Sequence, residues 1–479
     1  MISKNFNKYC SQSDRILSRK DSDYVRHSIS FLHCIKNHPE FIEKLTQKNF
    51  VALAKIFYSF IISLGSLFRL RGLSKIRKIN KSFSIIIVSN LIKVGDLTQK
   101  KDFYFGNLQN IIDKSNKFCF KILINHTKFH SNDLNNILKT KKINNVFVLP
   151  RHLDLRLEIK LLFLAIKQLI SLIILMLKPN SQLSKSFIIK SMISLFDKQT
   201  RFNLRIRLQY ADIIKIINPK KVICPYEGFG YERMIFYESR KYSKHLKCFG
   251  YQHAPVTPIN FSVKRKIRSS FIPDEVFFTN KTFMRELSSS KFNKKIKKRL
   301  IGNLRHPEIK IKKKKRLKLR CLILPEGYKS ETNILLNFSI EAAKKSKNIK
   351  FIFRPNPYFK IKKNIKFPKN FSFSYSKPLR KDLGDTDFVL YRGSGASIQS
   401  VLNGNVPIYL ALPNEKSIDP LIKHNLKSHT VSNKDEFIKL INHYFKKKYL
   451  YKKFIKSKIR EKYFYRLNKK NIINYLVKT

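Results

Sequence analysis

The sequence predicts an α/β protein of two Rossmann-like domains facing across a cleft, with a helical N-terminal extension and a basic helical C-terminal tail. Three observations predict it. Short apolar runs alternate with helix-compatible segments from about residue 82 to residue 410, the pattern of a parallel sheet covered on both faces. A basic segment, residues 291–320, holds 15 Lys and Arg against one Glu and divides that pattern into two blocks. In both blocks strands run into small, polar or charged residues, and open α/β sheets bind ligands at the carboxyl ends of their strands.

Residues 1–80 read as a basic helical extension without recognisable chemistry. The first domain is expected over 81–300. Its strands fall at 84–89, 118–125, 145–149, 222–225, 246–251 and 275–279, with helices at 104–114, 153–216 and 230–242. The second domain is expected over 301–445, with strands at 319–324, 350–354, 371–375, 388–390 and 406–410 and a helix at 331–347. Residues 446–479 form the basic, aromatic tail. No repeat of fixed period occurs.

Composition bounds the class. A hydrophobic fraction of 43% in 479 residues supports sizeable cores and argues against wholesale disorder. Lys and Arg total 99 against 31 Asp and Glu, a net charge of +68. Such a surface attracts nucleic acid, anionic lipid or phosphorylated ligands. The abundance of Lys, Asn, Ile and Phe, with no Trp, also fits drift under an A+T-rich coding sequence. The six cysteines show no CxxC and no zinc-like spacing, and Cys119, Cys224, Cys248 and Cys321 fall in expected strands. A reducing cytoplasm is the expected compartment. The N-terminus has no apolar segment of the signal-peptide kind. Two apolar stretches, 51–70 and 161–177, approach the length of a membrane span but carry Lys55, Arg69 and Lys167. The second is expected as a buried core helix, with an interfacial membrane contact open for either.

The most informative stretch is TDFVLYRGSGASIQSVLNGNVPIYL, residues 386–410. A strand runs into Arg392-Gly393-Ser394-Gly395-Ala396-Ser397, then a helix and a second strand. Gly393 and Gly395 permit close backbone approach, Ser394 and Ser397 offer hydroxyls, and Arg392 offers charge, the makings of a phosphate site. The loop lacks the GKS/T of a P-loop and the spacing of a dinucleotide fingerprint. The bland alternative is a tight turn with serine as a helix cap. Arg354-Pro355-Asn356-Pro357 ends another strand and is a candidate for phosphate, base or ribose contact. Glu326 follows strand 319–324 and is a candidate to line the cleft. In the first domain Glu227, between Tyr226 and Gly228, ends a strand where a carboxylate can act as general base. Glu232 follows, a candidate partner or a helix-surface ion pair. His253, after Gln252, ends the next strand as an acid/base candidate or a satisfied core histidine. Arg305, in the junction, is a candidate to reach the cleft.

At these residues the sequence resembles the GT-B glycosyltransferases, specifically bacterial surface-carbohydrate biosynthesis proteins. The features that carry the resemblance are YEGFGYER (226–233), GYQHAPV (250–256), PDEVFFTN (273–280), IGNLRHP (301–307), FRPNP (353–357) and the stretch 392–410, with an opening strand and first helix at 85–108. The resemblance covers about residues 80–430. It implies a glycosyltransferase with no resident cofactor, since the nucleotide-sugar is a substrate. Glu227 and His253 would be its catalytic residues, with Tyr226, Gly228, Glu232 and Gln252 on the acceptor side. Arg305, Glu326, Arg354, Asn356, Pro357, Arg392, Gly393, Ser394, Gly395 and Ser397 would bind the donor. Asn356-Pro357 matches an Arg-x-His-Pro-like element of enzymes using CMP-activated acidic sugars, with Asn in place of His, so CMP, UDP and GDP sugars stay open. No metal is expected, because no DxD sits in a credible loop. The expected partners are a nucleotide-sugar donor, a glycan acceptor and an anionic membrane surface, against which residues 291–320 and 446–470 would lie on the cytoplasmic side. The rival readings are a nucleic-acid-binding protein and an inactive subunit of the same fold. No RRM, KH, helix-turn-helix or zinc signature supports the first, and no specific nucleic acid is expected.

Overall fold

Runs of Ile, Val, Leu and Phe, apolar at successive positions, build strands that bury both faces. In β1 (Ile85–Leu91) the side chains of Ile86 and Val88 enter one core cluster with Phe120, Ile122 and Val222. Ile85 and Ile87 enter another on the opposite face, with Cys119, Ile223, Phe249 and Phe277. Each such fully buried side chain contributes about 1.5–3 kcal/mol. The computed structural model describes residues 2–33, 83–98, 101–115, 117–178, 182–255, 260–265, 267–288, 295–305, 319–356, 366–375, 377–413, 417–421, 429–446 and 463–478, with the single positions 54, 57, 58, 60, 61 and 415.

The first sheet adds β2 (Cys119–Asn125), β3 (Val146–Leu149), β4 (Lys221–Pro225), β5 (Lys247–Gln252), β6 (Glu275–Phe278) and β7 (Lys297–Leu300), in the order β3-β2-β1-β4-β5-β6-β7. The second holds β8 (Leu319–Leu324), β9 (Ile349–Phe353), β10 (Phe371–Phe373), β11 (Phe388–Tyr391), β12 (Val406–Leu410) and β13 (Thr430–Val431), in the order β10-β9-β8-β11-β12-β13. Every pairing between these strands is parallel. In each sheet the chain first moves outward to one side and then returns to build the other. The reversal opens a crevice beyond the strand ends between β1 and β4, and another between β8 and β11. The expected two-domain α/β architecture is therefore present.

Two strands escaped the sequence pattern. β7 reads Lys-Lys-Arg-Leu and carries no apolar run; it closes an edge of the first sheet, where charged strands are tolerated. β13 is two residues long. The helical region expected over 153–216 divides into helices Leu155–Leu177, Lys185–Leu195 and Lys198–Ile217. Residues 2–33 are not a separate appendage. Phe6, Tyr9, Leu17 and Leu32 share a buried cluster with Leu161, Leu172, Phe187 and Leu204. Arg265 reaches back to Asp14 at 2.7 Å.

The described part of the tail, 463–478, is helical over residues 469–478 and packs on the first domain, a contact the sequence did not indicate. Ile472 and Leu476 are buried beside Phe277 and Ile301, Asn468 donates its amide to the Ile301 carbonyl at 3.0 Å, and Lys221 Nζ donates to the Leu476 carbonyl at 3.0 Å. Residues 306–318 and 447–462, the most basic parts of the expected membrane contacts, lie outside the described residues. Gly302 makes the return possible. Its φ is +89°, and a Cβ there would stand 2.7 Å from the Arg466 carbonyl oxygen. Gly302→Ala should therefore destabilise the protein by about 1–3 kcal/mol, through backbone strain and the clash. Thermal unfolding measures it, and an unchanged midpoint would mean that the tail does not pack there.

Candidate functional site

The first half of the site stands on the ends of β4 and β5. Glu227 follows β4 and His253 follows β5. His253 Nε2 lies 3.2 Å from Glu227 Oε1, and both side chains are largely but not wholly buried. The Tyr104 ring meets the His253 ring edge-on, with centroids 4.5 Å apart. Asp102 fixes that tyrosine by accepting the amides of Tyr104 and Phe105 at 2.8 and 2.9 Å. Arg305 is exposed and lays its guanidinium over Phe103, 3.9 Å from the ring centroid, so it belongs to this half.

Glu232 holds the turn that presents Glu227. Its carboxylate accepts the amides of Glu227 at 3.0 Å, Gly228 at 2.7 Å and Phe229 at 3.1 Å. Burial, followed by the charge of Glu227, pushes the Glu232 carboxyl well above the usual range, while the amides oppose this. Glu232 is fully buried and faces no cleft. The acceptor-side expectation and the surface ion pair are both corrected: it is a positioning residue. Tyr226 and Gln252 are corrected in the same sense. Tyr226 packs inward on Gly250, and Gln252, 1% exposed, donates to the Ala254 carbonyl and shapes the turn before Pro255. Gly228 is buried too, its carbonyl accepting the Ser262 hydroxyl.

The second half stands on the ends of β8, β9 and β11. Arg392 is fully buried. Its Nε donates to Glu331 at 2.6 Å, its two terminal nitrogens donate to Glu415 at 2.8 Å each, and Nη1 also reaches the Leu410 carbonyl at 2.7 Å. Burial works against the charge, but Glu415 and Glu331 more than offset it and raise the Arg392 pKa. The expectation that Arg392 offers charge to a phosphate is corrected: it anchors the loop from beneath. Arg354 is likewise engaged, by Asp382 at 2.5 Å and the Lys377 carbonyl, so its charge is already countered within the domain. Asn356 lies beside Gly327, where a Cβ would stand 3.2 Å from Nδ2. Pro357 lies outside the described residues.

Above Arg392 the backbone turns sharply. Gly393 has φ +61°, and a Cβ there would fall 2.1 Å from Glu326 Oε2, so the Glu326 carboxylate lies directly against this glycine. Ser394 is half-buried and Gly395 exposed. The Ser397 and Ile398 amides bond back to the carbonyls of residues 394 and 395. The amides of Gly395 and Ala396 thus precede the hydrogen bonds of helix Ala396–Leu402. Ser397 Oγ is buried with no partner among the described residues.

The two halves approach each other at Pro255 and Gly395. A Cβ on Gly395 would stand 3.3 Å from the ring of Pro255, two residues beyond His253. The loop therefore opens onto the crevice rim that carries the Glu227–His253 pair. One buried cluster runs from Val222 and Cys248 through Tyr463 to Leu324 and Tyr391, joining the domains behind that point.

The two-domain fold has known counterparts. UDP-GlcNAc 2-epimerase from Neisseria meningitidis, solved with UDP-GlcNAc bound, superposes with a TM-score of 0.50 at 12% identity, over 82% of this chain and 100% of that one. A Listeria monocytogenes protein assigned as a UDP-N-acetylglucosamine 2-epimerase gives 0.50 at 10% identity, over 83% and 97%. The spinosyn forosaminyltransferase SpnP gives 0.48 at 9% identity, over 83% and 99%. The fold is GT-B. No family model matches the sequence, and no curated protein matches it.

Within the GT-B frame the sequence reading named Glu227, His253, Glu326, Gly393 and Ser397, which stand at strand ends or on the loop after β11, and missed their supports. Tyr104, Pro255, Glu331, Glu415 and Asp382 went unassigned. Pro255 follows directly after His253-Ala254 and was within reach. Glu331 and Glu415 were not, because an arginine in the sequence does not say which distant acceptors meet it.

Two outcomes follow from the supports. Arg392→Met leaves Glu331 and Glu415 buried without their cation and should cost about 3–5 kcal/mol; urea unfolding reads it, and a loss under ~1 kcal/mol would deny the anchor. Asp419 accepts the Tyr391 hydroxyl at 2.7 Å, and its neighbour Ile418 packs on Gly393. Burial pushes the Asp419 carboxyl up to about 6. An acid raised above its unfolded value stabilises the fold at low pH, and the contribution is lost as pH rises from about 4 through 6, on the order of 3 kcal/mol. Asp419→Asn should flatten that part of the stability–pH curve, and an unaltered curve would remove Asp419 as its source.

Proposed function

We propose that the protein is a glycosyltransferase that moves a sugar from a nucleotide-sugar donor to a hydroxyl of a glycan acceptor, in a surface polysaccharide or a lipid-linked glycan. The observation that carries this reading is the meeting of the Glu227–His253 pair with the 393–397 loop at the Pro255–Gly395 contact. A transfer site needs a base on one side of the reacting carbon and stabilisation of a leaving phosphate on the other.

Glu227 takes the acceptor proton. His253 orients it through Nε2, while His253 Nδ1 is closed off from solvent. The acceptor oxygen then bonds to the anomeric carbon, the bond from that carbon to the donor phosphate breaks, and the nucleotide leaves with the electron pair. The Gly395 and Ala396 amides and the Ser394 hydroxyl receive the phosphate charge. Arg392 and Arg354 do not, since carboxylates already hold them. Glu326, pressed against Gly393, suits hydroxyls of the ribose or the sugar, because a carboxylate accepts from hydroxyls and repels phosphate. The donor nucleotide is left among CMP, UDP and GDP.

Glu227→Gln should lower kcat by about 10²–10⁴ with donor binding intact. The assay is acceptor-dependent release of free nucleotide from CMP-, UDP- and GDP-sugars. Full turnover in the variant would remove Glu227 as the base. Isomerisation of the donor sugar with its nucleotide still attached would replace transfer by epimerisation, which the same fold also supports.

A further inference from the structure

The helix Leu155–Leu177 is neither the buried core helix expected from its sequence nor an isolated span. One stripe faces the protein: Leu161, Ala165, Leu172 and Leu175 are buried against the layer that holds Phe187, Leu195 and Leu204. Glu158, on the same stripe, is buried against Arg201 and Arg205 at 3.1 and 2.6 Å. The helix therefore lies along the domain. Its opposite stripe is also apolar. Leu155, Ile159, Phe163, Ile170, Ile173, Ile174 and Leu177 are exposed, Phe163 at 68% and Leu177 at 72%. Only 28% of its most apolar window is buried.

Contiguous exposed apolar surface marks an interaction site, and charge selects the partner. Arg156, Lys160 and Lys167 are exposed. At about 100° per residue they fall along one flank of the Phe163 ridge. Lys178 follows the helix, and its one acid, Glu158, is turned inward. The helix is about 35 Å long. Phe57, Tyr58 and Ile61 add exposed apolar surface, and their neighbour Phe60 packs on Phe196 of the same layer. A long apolar ridge with a basic flank, one exposed carboxylate at the N-cap (Asp154) and the helix's one acid turned inward matches the boundary between headgroups and acyl chains of an anionic bilayer. The lysine stems lie along the apolar surface while their ammonium groups meet lipid phosphate.

We propose that the outer face of helix Leu155–Leu177 is a membrane-docking surface that seats in the headgroup region of an anionic bilayer. The assignment does not rest on the transfer reading. The helix begins six residues after β3 ends, at the carboxyl edge of the first sheet, so the bilayer contact starts along the edge that carries Glu227.

The test is flotation of the full chain with vesicles of phosphatidylcholine, alone or mixed with phosphatidylglycerol, at low and high salt. Because net charge alone binds anionic vesicles at low salt, the high-salt arm decides. The wild type should float with the mixed vesicles and keep part of its binding at high salt. A triple variant, Phe163→Glu, Ile170→Glu and Ile174→Glu, should lose about tenfold or more with an unchanged unfolding midpoint. Lys160→Glu with Lys167→Glu should lose the preference for the anionic lipid. The chain contains no Trp, so Phe163→Trp gives a single reporter whose emission should shift to the blue on vesicle addition. Binding that salt abolishes completely and the triple variant leaves unchanged would overturn the proposal. So would an unshifted Phe163→Trp spectrum, or a dimer that the triple variant converts to monomer, which would make a second copy of the chain the occupant.

Discussion

Arg392 between Glu331 and Glu415 is the interaction on which the site geometry depends. A guanidinium with no solvent contact persists only where its donors are met, and here two carboxylates meet them, from the helix after β8 and from the segment after β12. The clamp fixes the end of β11, so Gly393 has one way to turn. The turn sets Ser394 and Gly395 at the rim and Ser397 beneath it. Without the clamp these groups are an ordinary strand-to-helix connection. With it they form a rigid lip facing Pro255.

The first domain answers in kind. Glu232 gathers three consecutive amides and holds Glu227 at the end of β4, and Asp102 does the same for Tyr104 against His253. In both domains a buried carboxylate that touches no substrate shapes the loop that would. Both loops lie where strand order reverses, the position at which parallel sheets leave room for a ligand. The returning chain at 463–478 ties the first domain to the end of the second and closes the core behind the cleft. The fold leaves the choice of chemistry open; the facing of a carboxylate–imidazole pair and an amide-lined loop narrows it.

Most of the architecture was legible because buried parallel strands are apolar at every position, a signal that needs no partner to be read. β8 and β12 fall where the apolar runs place them, and the helix Gly230–Tyr242 matches its expected bounds. β7 was illegible because an edge strand of Lys-Lys-Arg-Leu is held by its neighbour's backbone and not by its side chains. At the site, Glu227 and His253 were legible from their places at strand ends. The roles of Arg392, Arg354 and Glu232 were not. Sequence shows a charge, but whether that charge meets a ligand or a buried counter-charge is decided by residues distant in the chain. The helix Leu155–Leu177, expected as a buried core helix with an interfacial contact left open, is a related case: composition registers an apolar helix without saying how many of its faces the protein covers.

The claim that a nucleotide lodges against the Arg392-anchored loop is tested most directly by amide hydrogen exchange with CMP, UDP or GDP present. The account predicts that one of the three slows exchange over residues 393–398 and 326–328, with smaller changes around Glu227. Protection confined to other surfaces, or none with any of the three, would contradict it.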